Sequence, residues 1–83
     1  MSAGAEWLSK TNPISRKSAA ESVFEDLRQA IVSGRLAVGT RLPAETHLAE
    51  KYGVSRPIVR EALRSLQTLG MTQTRTGSGT FVL

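Results

Sequence analysis

Residues 48–69, LAEKYGVSRPIVREALRSLQTL, constrain this 83-residue chain more than any other stretch. They read as two helices joined by a tight turn. Gly53 supplies the left-handed residue that ends the first helix, and Ser55 is suited to cap the second. On a helical wheel of roughly 100° per residue, Ile58, Val59, Ala62, Leu63, Leu66 and Leu69 fall in one arc. Arg56, Arg60 and Arg64, spaced four apart, fall in another with Gln67. One face of this helix is built for a core, and the other carries a stripe of guanidinium groups. A pair of crossing helices also needs a small residue where they meet. Ala49 stands there, four before Gly53, with Leu48, Tyr52 and Val54 flanking it and Val59 and Ala62 on the second helix.

Charge placement agrees with that division. Net charge is +4. Lys10, Arg16, Lys17, Arg28, Arg35 and Arg41 balance Glu6, Glu21, Glu25, Asp26, Glu45 and Glu50 across the first fifty residues. The whole excess lies beyond them, in Lys51, Arg56, Arg60, Arg64 and Arg75 against Glu61 alone. A basic excess confined to one helix and the segment after it is the footprint of a polyanion-binding face. There is no cysteine and one histidine, so neither a disulfide framework nor a thiolate metal site is available, and His47 alone cannot hold a metal. No cofactor is expected. Nucleophile–base pairs, paired carboxylates and metal clusters are all missing from the pattern, so the chain does not read as an enzyme. No apolar run reaches the roughly 20 residues that span a bilayer, and residues 1–10 lack the apolar core of a secretory signal. The expectation is a protein of the cytoplasm that does not engage a membrane.

In chain order, residues 1–17 are small, polar and aperiodic and predict a flexible tail; Arg16 and Lys17 could graze a phosphate backbone. Ser18-x-x-Glu21 is a capping box, each side chain satisfying the other's orphan backbone donor. Ala20, Val23, Phe24, Leu27, Ala30 and Ile31 keep the spacing of a buried stripe, and Gly34 ends this first helix. Its outer face is acidic, so it is expected to turn away from a polyanion. A short strand is expected at residues 40–42. Pro43 then starts the second helix near Ala44, with Glu45 meeting the helix dipole. After the Arg-striped helix, Gly70 ends the run, and residues 71–75 and 80–83 form a hairpin about the turn Thr76-Gly77-Ser78-Gly79. G-S-G here is no phosphate loop, because it leads into a strand and not a helix. A basic hairpin tip beside such a helix is a wing, and Arg75 is its cation.

RLPAETHLAE followed by GVSRPIVREALRSLQTLG resembles the N-terminal domain of GntR-family bacterial transcription regulators, over residues 18–83. V-R-E-A-L is most similar to the branch typified by the fatty-acid-responsive regulator. The resemblance implies base or backbone contacts at Thr46, Ser55, Arg56, Pro57, Arg60, Thr76 and Gly77. Thr46 and Thr76 replace that branch's usual Arg and His, which removes two long-range donors. Many relatives have a serine at the Ala44 position, so this helix start lacks a capping hydroxyl. The resemblance also implies a larger C-terminal domain that binds an effector and dimerises, absent from this chain.

The expected fold is α+β and mostly helical: a winged helix-turn-helix of three helices and a small antiparallel sheet. The expected partner is double-stranded DNA, a near-palindromic operator, bound by a homodimer of the full-length regulator; the isolated domain is expected to be a monomer. Ser55 is expected on a phosphate, Arg56 and Arg60 on bases in the major groove, and Arg64 on the flanking backbone. Two other readings of such a domain exist. A protein-docking module would favour an apolar or mixed-charge face on the last helix, and an RNA binder would show a platform of stacking aromatics. Trp7, Phe24, Tyr52 and Phe81 are scattered instead.

Overall fold

A computed structural model describes residues 17–83. The expectations for the tail, including Arg16 and Trp7, lie outside the described residues. Three helices come first, α1 (Ala19–Val32), α2 (Glu45–Tyr52) and α3 (Arg56–Thr68), followed by strands β1 (Thr72–Arg75) and β2 (Gly79–Val82). This is the three-helix winged helix-turn-helix with an antiparallel hairpin.

Local chemistry sets each boundary. At the start of α1 the Ser18 hydroxyl accepts the Glu21 N–H at 3.1 Å. The Glu21 carboxylate accepts the same hydroxyl's proton at 3.2 Å rather than the Ser18 backbone N–H, so only half of the expected box forms. The helix ends at Val32, two residues before Gly34, because Ser33 is the C-cap. Gly34 takes φ +84° and donates to the Ile31 carbonyl. At the end of α3, Gly70 (φ +74°) is the left-handed residue. Its N–H reaches the Gln67 carbonyl at 2.9 Å, and Met71 N–H reaches that of Leu66 at 3.0 Å. Two backbone bonds of this kind close a helix end without help from side chains.

α3 is the central element. Val23 and Leu27 of α1 pack against its Ala62 and Leu66, while Leu48 and Ala49 of α2 pack against its Val59. Val59, Ala62 and Leu66 are at most 1 % exposed, and burial of each Val or Leu contributes roughly 1.5–3 kcal/mol. Ile58 and Leu63 are half-buried. Leu69 departs from the expected arc: it is 61 % exposed, because the helix closes at Thr68 and Leu69 only caps it.

The hairpin pairs Thr72 with Val82, Gln73 with Phe81, Thr74 with Thr80, and Arg75 with Gly79. Thr72 and Val82 face the core, at 1 % exposure each. The strand expected at residues 40–42 shrinks to one bridge, Arg41 with Phe81. Leu42 N–H still donates to Thr80 C=O at 2.8 Å and Val82 N–H to Thr40 C=O at 2.9 Å. Pro43 lacks an N–H to continue the ladder, and α2 starts two residues later. The hairpin loop is three residues, Thr76 to Ser78, and Gly79 already belongs to β2.

Candidate nucleic-acid interface

The turn between α2 and α3 aims the second helix. Gly53 adopts φ 67°, ψ 36°, and Val54 N–H and Gly53 N–H donate to the carbonyls of Ala49 and Glu50. The chain therefore reverses within three residues and leaves the start of α3 at the surface. Ser55 occupies the N-cap with extended backbone (ψ 158°), but its side chain makes no capping hydrogen bond. That corrects the expected cap. Pro57 at the second helical position removes one of the two N–H groups that a capping hydroxyl can take, and the Ser55 side chain does not turn to the other, on Ile58. The hydroxyl of Ser55 stays exposed beside unpaired backbone donors at the positive end of the helix, with no acid in the first turn.

Sequence reasoning placed Arg56 and Arg60 one turn apart but missed what holds them. Glu45, at the first position of α2, reaches across to both. Arg56 Nε donates to Glu45 Oε1 at 3.2 Å. Arg60 donates through Nη2 to Oε1 at 2.8 Å and through Nε to Oε2 at 3.2 Å, a two-pronged grip that fixes the guanidinium plane. The hydrogen bond from Arg60, then that from Arg56, holds the Glu45 carboxyl below the usual carboxylate range despite partial burial. Arg60 is raised in turn by the same bond. Both arginine side chains remain more than half exposed, at 58 % and 51 %. Glu45 does more than meet its helix dipole. A carboxylate that accepts from two donors one turn apart on another helix has no sequence signature, because the partners are 11 and 15 residues away.

Thr46, next along α2, is exposed. Arg64 is exposed on the same stripe as Arg60 and lines a hollow with Glu45, Arg60, Leu63, Thr74 and Thr80. That hollow joins the arginine stripe to the inner face of the hairpin, where the Thr74 and Thr80 hydroxyls bond at 3.0 Å. At the hairpin's far end Thr76 and Gly77 form an exposed tip, with Gly77 at φ +79°. Arg75 stands beside them with its guanidinium 4.9 Å from the Phe81 ring centroid, an attraction that stiffens an exposed arginine. All nine candidate residues are thus at the surface. Arg56 and Arg60 meet at Glu45, with Thr46 its neighbour in α2, and Arg75, Thr76 and Gly77 gather at the wing. Among the described residues no group of acids and histidine could hold a metal ion. No described helix is long and apolar enough to cross a membrane.

A helix-turn-helix whose second helix presents arginines, flanked by a basic two-stranded wing, defines a winged-helix DNA-binding domain. Residues 19–82 match the sequence profile of the bacterial regulatory proteins of the gntR family. The chain belongs to the GntR family. It is 44 % identical over 70 residues to the HTH-type transcriptional regulator Mce2R of Mycobacterium tuberculosis, covering 84 % of this chain and 29 % of that protein. It is 40 % identical over 68 residues to the HTH-type transcriptional repressor NanR of an Enterobacter species, covering 82 % and 26 %. This chain therefore spans between a quarter and a third of those relatives. Among solved structures, the DNA-binding domain of AraR in complex with operator ORX1 superposes with a TM-score of 0.80 at 29 % identity, covering 88 % of this chain and 90 % of that one. A GntR-family regulator matches with a TM-score of 0.74 at 41 % identity, covering 80 % and 26 %.

Proposed function

We propose that this domain binds double-stranded DNA sequence-specifically as the operator-reading part of a bacterial transcriptional regulator. The observation that carries the reading is the pair Arg56 and Arg60, exposed on the first turns of α3 and pre-aligned by one carboxylate. Entering the major groove by its N-terminal end, α3 offers two forks of the shape that guanine O6 and N7 accept. Ser55 and the open helix start take a phosphate, with Pro57 shaping that start and Thr46 beside it. Arg64 reaches the flanking backbone. Arg75, Thr76 and Gly77 carry the wing onto the adjacent minor groove or its phosphates. The match to AraR bound to its operator supports this placement. As part of a longer regulator the domain works beside the chromosome in the cytoplasm, as a homodimer on a near-palindromic site. There it acts as a repressor answering a small metabolite bound elsewhere in the protein.

The test begins with in vitro selection of a preferred duplex from a random pool. About four or five neutralised phosphates give a log–log salt slope near −4 on any duplex. Arg56→Ala or Arg60→Ala is expected to lose about 1–3 kcal/mol on the selected site and loosen its base preference. Arg64→Ala is expected to weaken selected and random DNA alike and to flatten the slope by about one unit. A flat slope for the wild type sinks the reading. Equal losses from Arg60→Ala on both duplexes, with an operator-only loss from Arg64→Ala, reverse the orientation of α3.

A further inference from the structure

Arg41 belongs to none of the elements that sequence or family pattern nominate for DNA contact, yet the fold carries it to the wing. Its backbone bridges Phe81, on the free edge of β2. Paired residues of an antiparallel ladder point to the same side. Arg41, Phe81, Gln73, Gly79 and Arg75 therefore share the outer face of the sheet, opposite the buried Thr72 and Val82. Along that face the Arg41 side chain lies directly over Gly79. A Cβ built on Gly79 would stand 2.6 Å from Arg41 Nε and 3.4 Å from Cζ and Nη2. Gly79 is also the register partner of Arg75. Two arginines thus straddle one glycine whose missing side chain leaves them room.

Their charge is uncompensated. Arg56 and Arg60 of the recognition helix share Glu45, and Arg28 is paired with Glu25. Among the described residues neither Arg41 nor Arg75 has a carboxylate within ion-pairing distance; Arg75 rests on an aromatic ring instead. Like charges brought together across strands repel, and an anion lodged between them relieves the repulsion. Among the described arginines of α3 and the wing, the positive charge that no carboxylate offsets therefore lies on the wing, at Arg41 and Arg75, as well as at Arg64 of α3.

We propose that Arg41 is a DNA-contacting residue that works with Arg75 as a two-arginine clamp for a backbone phosphate beside the wing. This rests on the DNA-binding reading above. A phosphate is favoured over a base edge because Arg41 lies along the outer sheet face, over the last ladder pair before the loop, and not in the tip at Thr76 and Gly77 itself. Gly79 beneath, having no side chain, lets Arg41 lie close against the sheet.

The experiment compares wild type, Arg41→Ala and Arg41→Gln on the selected duplex and on random duplex across 50–200 mM salt, a window in which one phosphate contact changes affinity by roughly threefold. Arg35→Ala serves as the control for net charge, since Arg35 lies near Tyr52 and away from the wing. The expected result is a several-fold loss for both Arg41 variants at low salt, equal on the two duplexes. The salt slope falls by about one unit, the melting temperature holds, and Arg35→Ala leaves the slope unchanged. An unchanged slope for the Arg41 variants, a loss on the selected duplex alone, or a loss matched by Arg35→Ala overturns the clamp while leaving DNA binding intact. A melting temperature that falls with affinity, with the slope preserved, shows Arg41 to be structural and overturns it too. A wild type without salt-dependent binding removes the underlying reading as well as the clamp.

Discussion

Glu45 governs how much of the arginine stripe is free before DNA arrives. An ion pair between side chains this exposed stabilises a fold little, so its effect belongs to recognition. By gripping Arg60 at two oxygens it limits the rotamers from which that arginine starts, which lowers the ordering cost of a bidentate contact. Its negative charge simultaneously opposes approach of any phosphate backbone. Glu45→Gln removes the charge and loosens the grip. Random-duplex affinity is expected to rise several-fold, while the ratio of selected to random affinity falls by about tenfold, the lower part of what a bidentate contact is worth. Parallel titrations of the two duplexes check this, and a variant with unchanged discrimination refutes the positioning role. The arginines proposed to read DNA are legible in the sequence because a four-residue spacing on an amphipathic helix is visible one-dimensionally. Glu45 as their holder was not, because the contact exists only once Gly53 has reversed the chain and laid α2 across α3. Arg41 was hidden for a related reason: an isolated strand residue shows its face only when its ladder partner is known.

Elements are tied together by contacts of the same non-local kind. Tyr52, at the end of α2, donates its hydroxyl to Asp26 of α1 at 2.5 Å, and its ring packs against both core clusters. The sequence marks Tyr52 as core from its place beside Gly53; the hydrogen bond to an acid on the face of α1 that looked merely solvated is a tertiary fact. The wheel likewise extended the apolar arc to Leu69, since periodicity carries no information on where Gly70 will close the helix. Burial, then the bond to Asp26, pushes the Tyr52 phenol up to about 12 from an ordinary 10.0. A raised pKa means the fold favours the protonated phenol. Its contribution is therefore complete below pH 10 and is lost as pH climbs from 10 towards 12. Because Tyr52 is the only tyrosine, tyrosinate absorbance follows it directly. The native midpoint is expected near 12, and the melting temperature of the wild type is expected to fall across this window more steeply than that of Tyr52→Phe. Identical slopes for the two proteins, or a midpoint near 10, would show that the tie between α1 and α2 contributes nothing.

At the scale of the whole molecule, the core is spent inward. The apolar face of α3 is covered by α1 and α2, and among the described residues the large apolar side chains left at the surface are Val32, Val38, Leu69 and Leu83. They lie on separate segments: the end of α1, the loop after it, the cap of α3 and the last residue. Four such side chains are too few to make the contiguous patch of roughly 800 Å² per partner that a stable dimer buries. One α3 reads only a few base pairs, however, so a palindromic site needs two domains, with centres about 34–36 Å apart along one face of the duplex. The 83-residue chain is therefore expected to sediment as a monomer at high micromolar concentration and to load two copies onto a palindromic duplex. DNA alone supplies the pairing in that case, and inserting roughly half a helical turn between half-sites, about 5 base pairs, leaves both copies bound with unchanged affinity per half-site. In a longer regulator whose remaining domain dimerises, the same insertion forces the two recognition helices onto opposite faces, and affinity collapses. Sedimentation of the free chain, with the insertion series run on it, separates these cases. A stable free dimer, or a loss of affinity on insertion, would mean that these scattered apolar residues come together in a self-association surface after all.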